Sequence, residues 1–281
     1  MILLDGKPIA QTILAELRGR FAALDLPRPP RLCAILVGQD PASIAFLKQK
    51  EKTAGEAGVE FRIEEFPETI STERLRSAIV AIGRQKVVGA MIAQLPLPGH
   101  LNVQAILNAI PPEKDADVLT ERSTGKFVLG RLPFDPPPVA GLRRMLGHYK
   151  LRIAGKYVVL VGQGRLIGKS LSWWLTNQGN TFTATNAETP DLGRFTRAAE
   201  CIITGVGKPK LITADMIAQD AIVIDFGFAR VDDATVGDVD FEAVAAKAAA
   251  VTPVPGGMGP LTVALLFENL YTLLTHYGSR A

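Results

Sequence analysis

The 281-residue sequence predicts an α/β protein of two domains with a mostly parallel sheet. Short apolar runs recur along the chain, and several are continuous rather than alternating, as in parallel strands covered on both faces. Segments with helical spacing of apolar residues lie between these runs, which indicates right-handed βαβ units. The length corresponds to two modest domains at ~100–200 residues per domain.

The predicted strands are short apolar runs that are bounded by Gly, Pro or Asn. Runs of this length and composition favour buried strands. They cover 31–38, 59–66, 87–94, 156–162, 181–186, 200–207 and 221–228.

The segments between the strands are predicted to be helices. Ile44, Phe46 and Leu47 begin an apolar helical face, and Gly58 provides a stop signal for the same helix. Helices are predicted over 43–58, 168–179, 240–250 and, as a strongly amphipathic closing helix, about 261–278.

Residues 130–141 interrupt this alternation. The segment holds four prolines, which excludes a helix interior or a central strand. We therefore predict a domain junction in this region, with a first domain of residues 1–118 and a second domain of residues 119–281. The terminal helix is expected to pack back on the first domain.

Composition indicates a packed globular protein, since 47% of residues are apolar and 21% are charged. The net charge of +3, with Lys and Arg scattered among acidic residues, disfavours nucleic-acid binding. Cys33 and Cys201 lie in apolar runs without zinc-type spacing, which predicts buried reduced thiols and no metal site. No apolar stretch reaches the ~18–20 residues of a membrane span, and the N-terminus does not resemble a signal peptide, so a cytoplasmic protein is expected.

The segment GQGRLIGKSL, which begins at Gly162, lies between a predicted strand and a predicted helix. Backbone N–H groups and the helix dipole converge on an anion at such a turn. Its ending matches a P-loop, but Gln163 stands where that motif needs its first glycine. The spacing Gly162-x-Gly164-x-x-x-Gly168 is closer to a Rossmann dinucleotide turn with one extra residue. A P-loop ATPase with Asp225 as a magnesium ligand, and a glycine turn without a ligand, stay open as alternatives at this point.

Further motifs accompany the glycine turn. They are VGQDPAS with FLKQKEK (37–52), AQLPLPGH (93–100), PPEKDADV (111–118), GVGKPKLI (205–212), VIDFG (223–227), VGDVDFE (236–242) and TPVPGGMGPLTVALLFEN (252–269). In this order, and over nearly the whole chain, they resemble the methylenetetrahydrofolate dehydrogenase/cyclohydrolase family. QLPLP and TPVPGGMGPLT are highly specific. The glycine turn is then similar to the dinucleotide-binding turn of that family.

The resemblance implies an N-terminal α/β folate-binding catalytic domain and a Rossmann-like domain that binds NADP or NAD. Family members oxidise 5,10-methylenetetrahydrofolate to the methenyl cation by hydride transfer to a nicotinamide, and most then hydrolyse that cation to 10-formyltetrahydrofolate. The resemblance also implies a tetrahydrofolate derivative as the substrate and a homodimer.

The resemblance assigns roles to single residues. Lys50 matches the catalytic lysine, Gln94 the residue that hydrogen-bonds it, and Asp117 the aspartate that pairs with the amino and ring nitrogens of the pterin. A lysine beside apolar surface can have its pKa lowered enough to exchange protons near neutral pH. The other implied contacts are Phe46, Asp117, Pro255, Gly256 and Gly257 for the substrate, and Gly162, Gln163, Gly164, Arg165, Gly168, Gly205, Gly207 and Lys208 for the dinucleotide.

The sequence departs from the family pattern at several of these positions. Phe46 stands where the family has Tyr, and Val118 stands where Gly follows the aspartate. Further departures are Gly164 for Ser, Ser170 for Pro, and the segments PPPVAG at 136–141 and DFGFA at 225–229.

The choice between the two dinucleotides stays open. NADP-using members often carry Arg after the first glycine of the turn and Ser after the next strand. Gln163 and Ala187 occupy these positions here, and neither can neutralise a 2′-phosphate. Glu188 lies slightly late for the acidic residue that marks NAD binding, and Arg165 could replace the missing phosphate partner. These positions favour NAD.

Three hypotheses about function follow from the departures. The first is a dehydrogenase with or without cyclohydrolase activity. The second is a single-activity member of the family, and the third is a non-catalytic folate-binding paralogue. The presence of Lys50, Gln94 and Asp117 favours the enzymes.

Overall fold

The computed structural model describes residues 1–232 and 234–277, which form two compact units with a parallel sheet in each. Neither unit is a continuous stretch of sequence. The six-stranded unit comprises Met1–Ala10 and Pro138–Thr262, and the three-stranded unit comprises Gln11–Pro137 and residues 263–277. The division of the chain into domains at residue 118 stays a prediction.

Strands and helices alternate along much of the described chain. The strands are β1 (Ile2–Leu3), β2 (Arg31–Val37), β3 (Glu60–Phe66), β4 (Val88–Ala93), β5 (Val158–Val161), β6 (Phe182–Thr185), β7 (Cys201–Thr204), β8 (Ile222–Asp225), β9 (Ala229–Val231), β10 (Ala234–Val236) and β11 (Ala250–Val251). The α-helices are α1 (Lys7–Ala22), α2 (Pro41–Ala57), α3 (Thr72–Gly83), α4 (Val103–Leu107), α5 (Glu121–Val128), α6 (Pro137–His148), α7 (Gly168–Asn177), α8 (Leu192–Thr196), α9 (Phe241–Ala245) and α10 (Met258–Tyr277). Short 3₁₀ helices cover Pro112–Lys114 and Ala214–Met216.

The sheet of the six-stranded unit has the order β1-β11-β8-β7-β5-β6, with parallel pairing throughout. Strands β5, β7 and β8 are buried along their whole length, as continuous apolar runs require. The chain runs from β5 to β6 on one side of β5 and then crosses to β7 on the other side. The loops after β5 and β7 therefore lie at a topological switch point, where α/β sheets bind ligands.

The sheet of the three-stranded unit repeats this reversal on a smaller scale. Its order is β3-β2-β4, and both pairings are parallel. The chain places β3 on one side of β2 and β4 on the other, so the loops after β2 and β4 lie at a second switch point. Ile35 on β2, Met91 on β4, and Leu75 and Ile79 on α3 are buried in the core of this unit.

The α/β fold class with mostly parallel sheets is confirmed. Strands β2 to β8 lie inside the seven predicted runs. The helix predicted over 240–250 is wrong in its second half, because α9 ends at Ala245 and Ala250 belongs to β11. Pairing of β11 with β8 and β1 outweighs the helix propensity of this Ala-rich segment. The antiparallel hairpin of β9 and β10 was not predicted.

The helix ends carry the expected signals. Asp40 caps α2 by accepting a hydrogen bond from the backbone N–H of Ser43 at 2.8 Å, and Gly58 ends the helix with φ 75°. The proline-rich segment leads into α6 at Pro137, where proline is tolerated because the first turn lacks backbone acceptors. Among the described residues, no helix combines the length and apolar character needed to cross a membrane.

Two glycines three residues apart should respond to alanine with opposite signs. Gly55 is an exposed helical residue, and a methyl group there meets no atom within 4 Å. Gly55→Ala should raise the free energy of unfolding by ~0.5–1 kcal/mol, since glycine loses more backbone freedom in a helix. Gly58→Ala should lower it by ~1–2 kcal/mol, because alanine is strained at positive φ. Urea denaturation checks both values, and changes of the same sign would contradict this account of the helix end.

Candidate active site

Lys50 and Gln94 meet at the switch point of the three-stranded unit. Lys50 lies on α2, which follows β2, and Gln94 is the first residue after β4. The Nζ of Lys50 donates to Oε1 of Gln94 at 3.0 Å, and Nε2 of Gln94 donates to the carbonyl of Leu95 at 2.8 Å. An ammonium group can only donate, so it requires the oxygen of the amide on its side. Gln94 is 7% exposed, and its orientation is therefore fixed from both ends.

Asp117 lies in a loop whose backbone is held on both sides. The buried carboxylate of Asp115 accepts hydrogen bonds from the backbone N–H groups of Leu119 at 3.2 Å and Thr120 at 2.8 Å. The Nδ2 of Asn269, a buried residue of α10, donates to the carbonyl of Ala116 at 2.9 Å. These contacts fix the loop immediately before and after Asp117.

The pKa values of Lys50 and Asp117 are both shifted towards neutral pH, downwards for Lys50 and upwards for Asp117. Burial lowers the pKa of the Lys50 ammonium, and the carboxylate of Asp117 opposes this shift. Burial raises the pKa of the Asp117 carboxyl to about 6, while the charge of Lys50 acts in the lowering direction. A base with a lowered pKa and an acid with a raised pKa are suited to proton transfer near neutral pH.

Phe46 and Val118 border this centre in sequence. Phe46 precedes Lys50 by one helical turn on α2, so the two residues share a helix face, and its side chain is partly buried. Val118 is buried and has φ 60°, a left-handed conformation that β-branched residues rarely adopt. The motif resemblance places glycine at this position, and glycine reaches positive φ without a Cβ penalty. The structure therefore places backbone strain directly beside Asp117.

The glycine turn after β5 lies at the switch point of the six-stranded unit. A Cβ at Gly168 would overlap the carbonyl oxygen of Gly162, and a Cβ at Gly162 would lie 2.6 Å from Cγ1 of Val206. A Cβ at Gly205, in the turn after β7, would lie 2.9 Å from Cγ2 of Ile167. The two turns thus pack on each other through positions that accept only glycine. Close backbone approach of this kind at a strand-to-helix turn fits a dinucleotide pyrophosphate.

The other predicted dinucleotide contacts lie around these turns. Gln163 is exposed, and its Nε2 donates to the carbonyl of Ala184 on β6 at 3.1 Å. Gly164 has open space around its Cβ position. Arg165 and Lys208 are exposed.

The carboxylate proposed as a magnesium ligand in the P-loop alternative lies in the interior. Asp225 is 2% exposed, and its oxygens accept hydrogen bonds from the backbone N–H groups of Gly227 at 2.6 Å and Val239 at 3.0 Å. Both oxygens are therefore engaged by the protein itself. Within the described ranges, no group of three or more His, Cys, Asp or Glu side chains could hold a metal ion.

The loop before α10 belongs to the six-stranded unit. The backbone N–H of Gly257 donates to the carbonyl of Pro253 at 2.8 Å, and that of Gly6 donates to the carbonyl of Gly256 at 2.9 Å. Gly256 has φ 115°, which requires glycine, and Pro255 is exposed. The N-terminal segment thus fixes the shape of this loop.

The predicted site residues divide between the two units. The structure brings Lys50, Gln94 and Asp117 together in the three-stranded unit. The dinucleotide positions and the residues 255–257 belong to the six-stranded unit. Asp115 and Asn269 were not singled out from the sequence. Asn269 carries a usable signal, because it is a polar residue among the buried apolar residues of an amphipathic helix.

These features define a class of protein. A glycine-lined turn at the switch point of one parallel sheet, and a partly buried lysine with an amide and a carboxyl at the switch point of another, are typical of two-domain α/β enzymes that use a dinucleotide.

The chain belongs to the tetrahydrofolate dehydrogenase/cyclohydrolase family. The model of the family's catalytic domain matches residues 4–117, and the model of its NAD(P)-binding domain matches residues 136–277. The resemblance drawn from the motifs is thereby confirmed.

Relatives match over nearly their full length. The bifunctional protein FolD of Exiguobacterium sibiricum is 40% identical, over 95% of this chain and 97% of its own. The crystal structure of the bifunctional FolD dehydrogenase/cyclohydrolase from Campylobacter jejuni is 34% identical with a TM-score of 0.93, covering 99% of both chains. FolD of Trypanosoma brucei, crystallised with NADP and an inhibitor, is 31% identical with a TM-score of 0.93, covering 100% of this chain and 99% of its own.

The electrostatic coupling of Lys50 and Asp117 predicts the sign of a pKa change. Asp117→Asn should lower the pKa of Lys50 further, because the carboxylate that favours the ammonium form is removed while the burial stays. A pH titration of the labelled lysine side chains by NMR measures this pKa. Glu113→Gln, an exposed carboxylate nearby in sequence, is the matched control. A pKa of Lys50 that stays the same or rises in Asp117→Asn would contradict the coupling.

Proposed function

We propose that this chain oxidises 5,10-methylenetetrahydrofolate to 5,10-methenyltetrahydrofolate with NAD or NADP and then hydrolyses the product to 10-formyltetrahydrofolate. The observation that carries the proposal is the Lys50–Gln94 hydrogen bond of 3.0 Å with Asp117 in electrostatic contact. Membership of the dehydrogenase/cyclohydrolase family supplies the reaction class. The FolD proteins of Exiguobacterium sibiricum and Campylobacter jejuni, both named as bifunctional, support the combination of two activities.

The oxidation step requires the protein to position the two reactants and needs no general base. Loss of hydride from the methylene carbon leaves a cation that the two neighbouring folate nitrogens stabilise. When bound, the nicotinamide supplies the hydride acceptor. The residues of this chain hold the dinucleotide, with Gly162, Gly168 and Gly205 admitting its phosphates close to the backbone. Correct placement of the two reactants accounts for the rate of this step.

The hydrolysis step requires proton transfer, which we assign to Lys50. Water adds to the methenyl carbon and loses a proton, which gives a neutral hydroxy adduct. One carbon–nitrogen bond then breaks as its nitrogen gains a proton and the hydroxyl loses its own, so the formyl C=O forms and one proton is released overall. Burial lowers the pKa of Lys50, so its neutral amine is more accessible than that of an ordinary lysine to accept the first proton, and its ammonium form can then protonate the departing nitrogen. Gln94 Oε1 holds the amine in one direction, since its amide is itself fixed by Leu95.

Asp117 is proposed to bind the pterin. A carboxylate presents two acceptor oxygens to an amino group and an adjacent ring N–H, which is a bidentate fit. The contacts of Asp115 and Asn269 with the loop fix the backbone that carries this carboxylate. Phe46 is proposed to contact the substrate from the same helix face as Lys50, and Pro255, Gly256 and Gly257 from the loop before α10. The cytoplasmic location, expected from the sequence composition, and the homodimer, implied by the resemblance, stay predictions.

Replacement of Lys50 should separate the two activities. Lys50→Ala should lower hydrolysis of 5,10-methenyltetrahydrofolate by at least ~100-fold, because the proton-transfer group is lost, and should leave dinucleotide binding unchanged. Loss of methenyl absorbance measures hydrolysis, and turnover of 5,10-methylenetetrahydrofolate with NAD and with NADP measures oxidation. Lys48→Ala, an exposed lysine on the same helix, is the control.

The outcomes of this assay are distinct. Unchanged hydrolysis in Lys50→Ala would remove Lys50 from the mechanism. A wild-type protein that turns over only one of the two substrates would be a single-activity member. A wild-type protein that binds folate but turns over neither would contradict the proposed function in favour of a non-catalytic paralogue.

Two substitutions should change the choice of dinucleotide. Gln163 follows β5 and Ala187 follows β6. The uncharged amide of Gln163 donates to the carbonyl of Ala184 on β6. Gln163→Arg combined with Ala187→Ser should raise the ratio of kcat/KM for NADP over NAD by at least ~10-fold, because charge-assisted bonds to a 2′-phosphate are gained. Initial rates with both dinucleotides measure the ratio. An unchanged ratio would show that other residues, with Arg165 the first candidate, select the dinucleotide.

A further inference from the structure

A buried carboxylate lies beneath the turn that follows β7. Asp238 has no exposed surface. Its Oδ2 accepts hydrogen bonds from Oγ1 of Thr204 at 2.7 Å and from the backbone N–H of Val206 at 2.8 Å, and its Oδ1 accepts one from the backbone N–H of Lys208 at 2.8 Å. Three donors from a stretch of five residues thus converge on one side chain from a distant part of the sequence.

These hydrogen bonds determine the shape of residues 205–208. Both backbone N–H groups point inwards to the carboxylate, while Val206, Gly207 and Lys208 are exposed on the outer side. Gly207 has φ 71°, so the turn contains a left-handed residue between the two bonded positions. Charge-assisted hydrogen bonds to a carboxylate are roughly twice as strong as neutral ones, and here they act on the backbone on both sides of Gly207.

The turn after β7 packs directly against the glycine turn after β5. The side chain of Val206 occupies the space in which a Cβ of Gly162 would lie, at 2.6 Å from its Cγ1. Val206 is therefore held from beneath by Asp238 and packs against Gly162. A shift of residues 205–208 would change the space available at both turns of this switch point.

The carboxylate of Asp238 lies close against the backbone of Gly227. A Cβ at Gly227 would overlap the Asp238 carboxylate, and a Cβ at Gly237 would overlap that of Asp225. The backbone N–H of Asp225 donates to Oγ1 of Thr252 at 2.7 Å, at the start of the loop before α10. Asp238 and Asp225 thus lie near each other, with the carboxylate of Asp238 bonded to the turn after β7 and the backbone of Asp225 bonded to the start of the loop before α10.

We propose that Asp238 is a positioning residue for dinucleotide binding, which fixes the backbone of residues 205–208 in the shape that the dinucleotide contacts. This inference rests on the proposed function. Asp238 acts through the turn, because its own oxygens are enclosed by Thr204, Val206 and Lys208.

Asp238→Asn tests the proposal with the smallest change in shape. An amide has one acceptor oxygen, so in either orientation the backbone N–H of Val206 or of Lys208 faces a second donor. The Kd for NAD and for NADP, measured by isothermal titration calorimetry, should rise at least ~10-fold. Hydrolysis of 5,10-methenyltetrahydrofolate, which uses no dinucleotide, should be unchanged.

Two further variants separate positioning from general stability. Asp220→Asn, an exposed aspartate that already has positive φ, should leave the Kd unchanged. Thr204→Val removes one donor and should weaken dinucleotide binding, whereas Thr204→Ser keeps the hydroxyl and should restore it. The Thr204 pair keeps the proposal testable if Asp238→Asn does not fold.

The results have separate meanings. An unchanged Kd in Asp238→Asn, or equal affinities of Thr204→Val and Thr204→Ser, would overturn the inference. Parallel loss of hydrolysis and dinucleotide binding would overturn it as well, since it would show a structural role for the whole chain. Lack of dehydrogenase turnover in the wild-type protein would contradict the proposed function, whereas an active wild type with an unaffected Asp238→Asn variant would contradict only the role of Asp238.

Discussion

The reversal of strand order is the constraint on which both candidate binding regions depend. In a parallel sheet, the carboxyl ends of all strands lie at one edge, and loops on either side of a reversal diverge from each other. This occurs between β5 and β7 in the six-stranded unit and between β2 and β4 in the three-stranded unit. At the first reversal the turns consist largely of glycines, so backbone atoms line the opening. The second presents the side chains Lys50 and Gln94. The same topological feature thus positions a backbone-lined candidate site in one unit and a side-chain-lined candidate site in the other.

Buried polar side chains fix the conformations of the loops around these openings through hydrogen bonds. Asp115 and Asn269 hold the loop around Asp117, Gln94 orients Lys50, and Asp238 holds the turn after β7. Most of these groups bind backbone N–H or C=O groups that would otherwise lack partners in the interior. Removing one partner would leave the other buried and unsatisfied, which explains why the loops have little freedom to adopt other shapes.

The fold was largely predictable from the sequence, because continuous apolar runs and the helices between them depend on local residue order. The two-residue strands β1 and β11 were not, since pairing rather than local pattern creates them. Lys50, Gln94 and Asp117 were identified through family motifs, because no local pattern connects a helix with a strand end 44 residues away. The role of Asp238 was not predicted, because its partners are two backbone N–H groups and the Thr204 hydroxyl, 30 to 34 residues earlier in the chain.

The left-handed valine beside Asp117 has a consequence for the thermodynamics of ligand recognition. A β-branched residue has far fewer accessible backbone conformations than glycine, so valine at position 118 restricts the loop more than glycine would. If Asp117 binds the pterin as proposed, a loop that is restricted before binding would lose less entropy on association. The strained φ of 60° lowers the free energy of unfolding of the free protein. In this loop, restriction before binding is therefore obtained at a cost in folding stability.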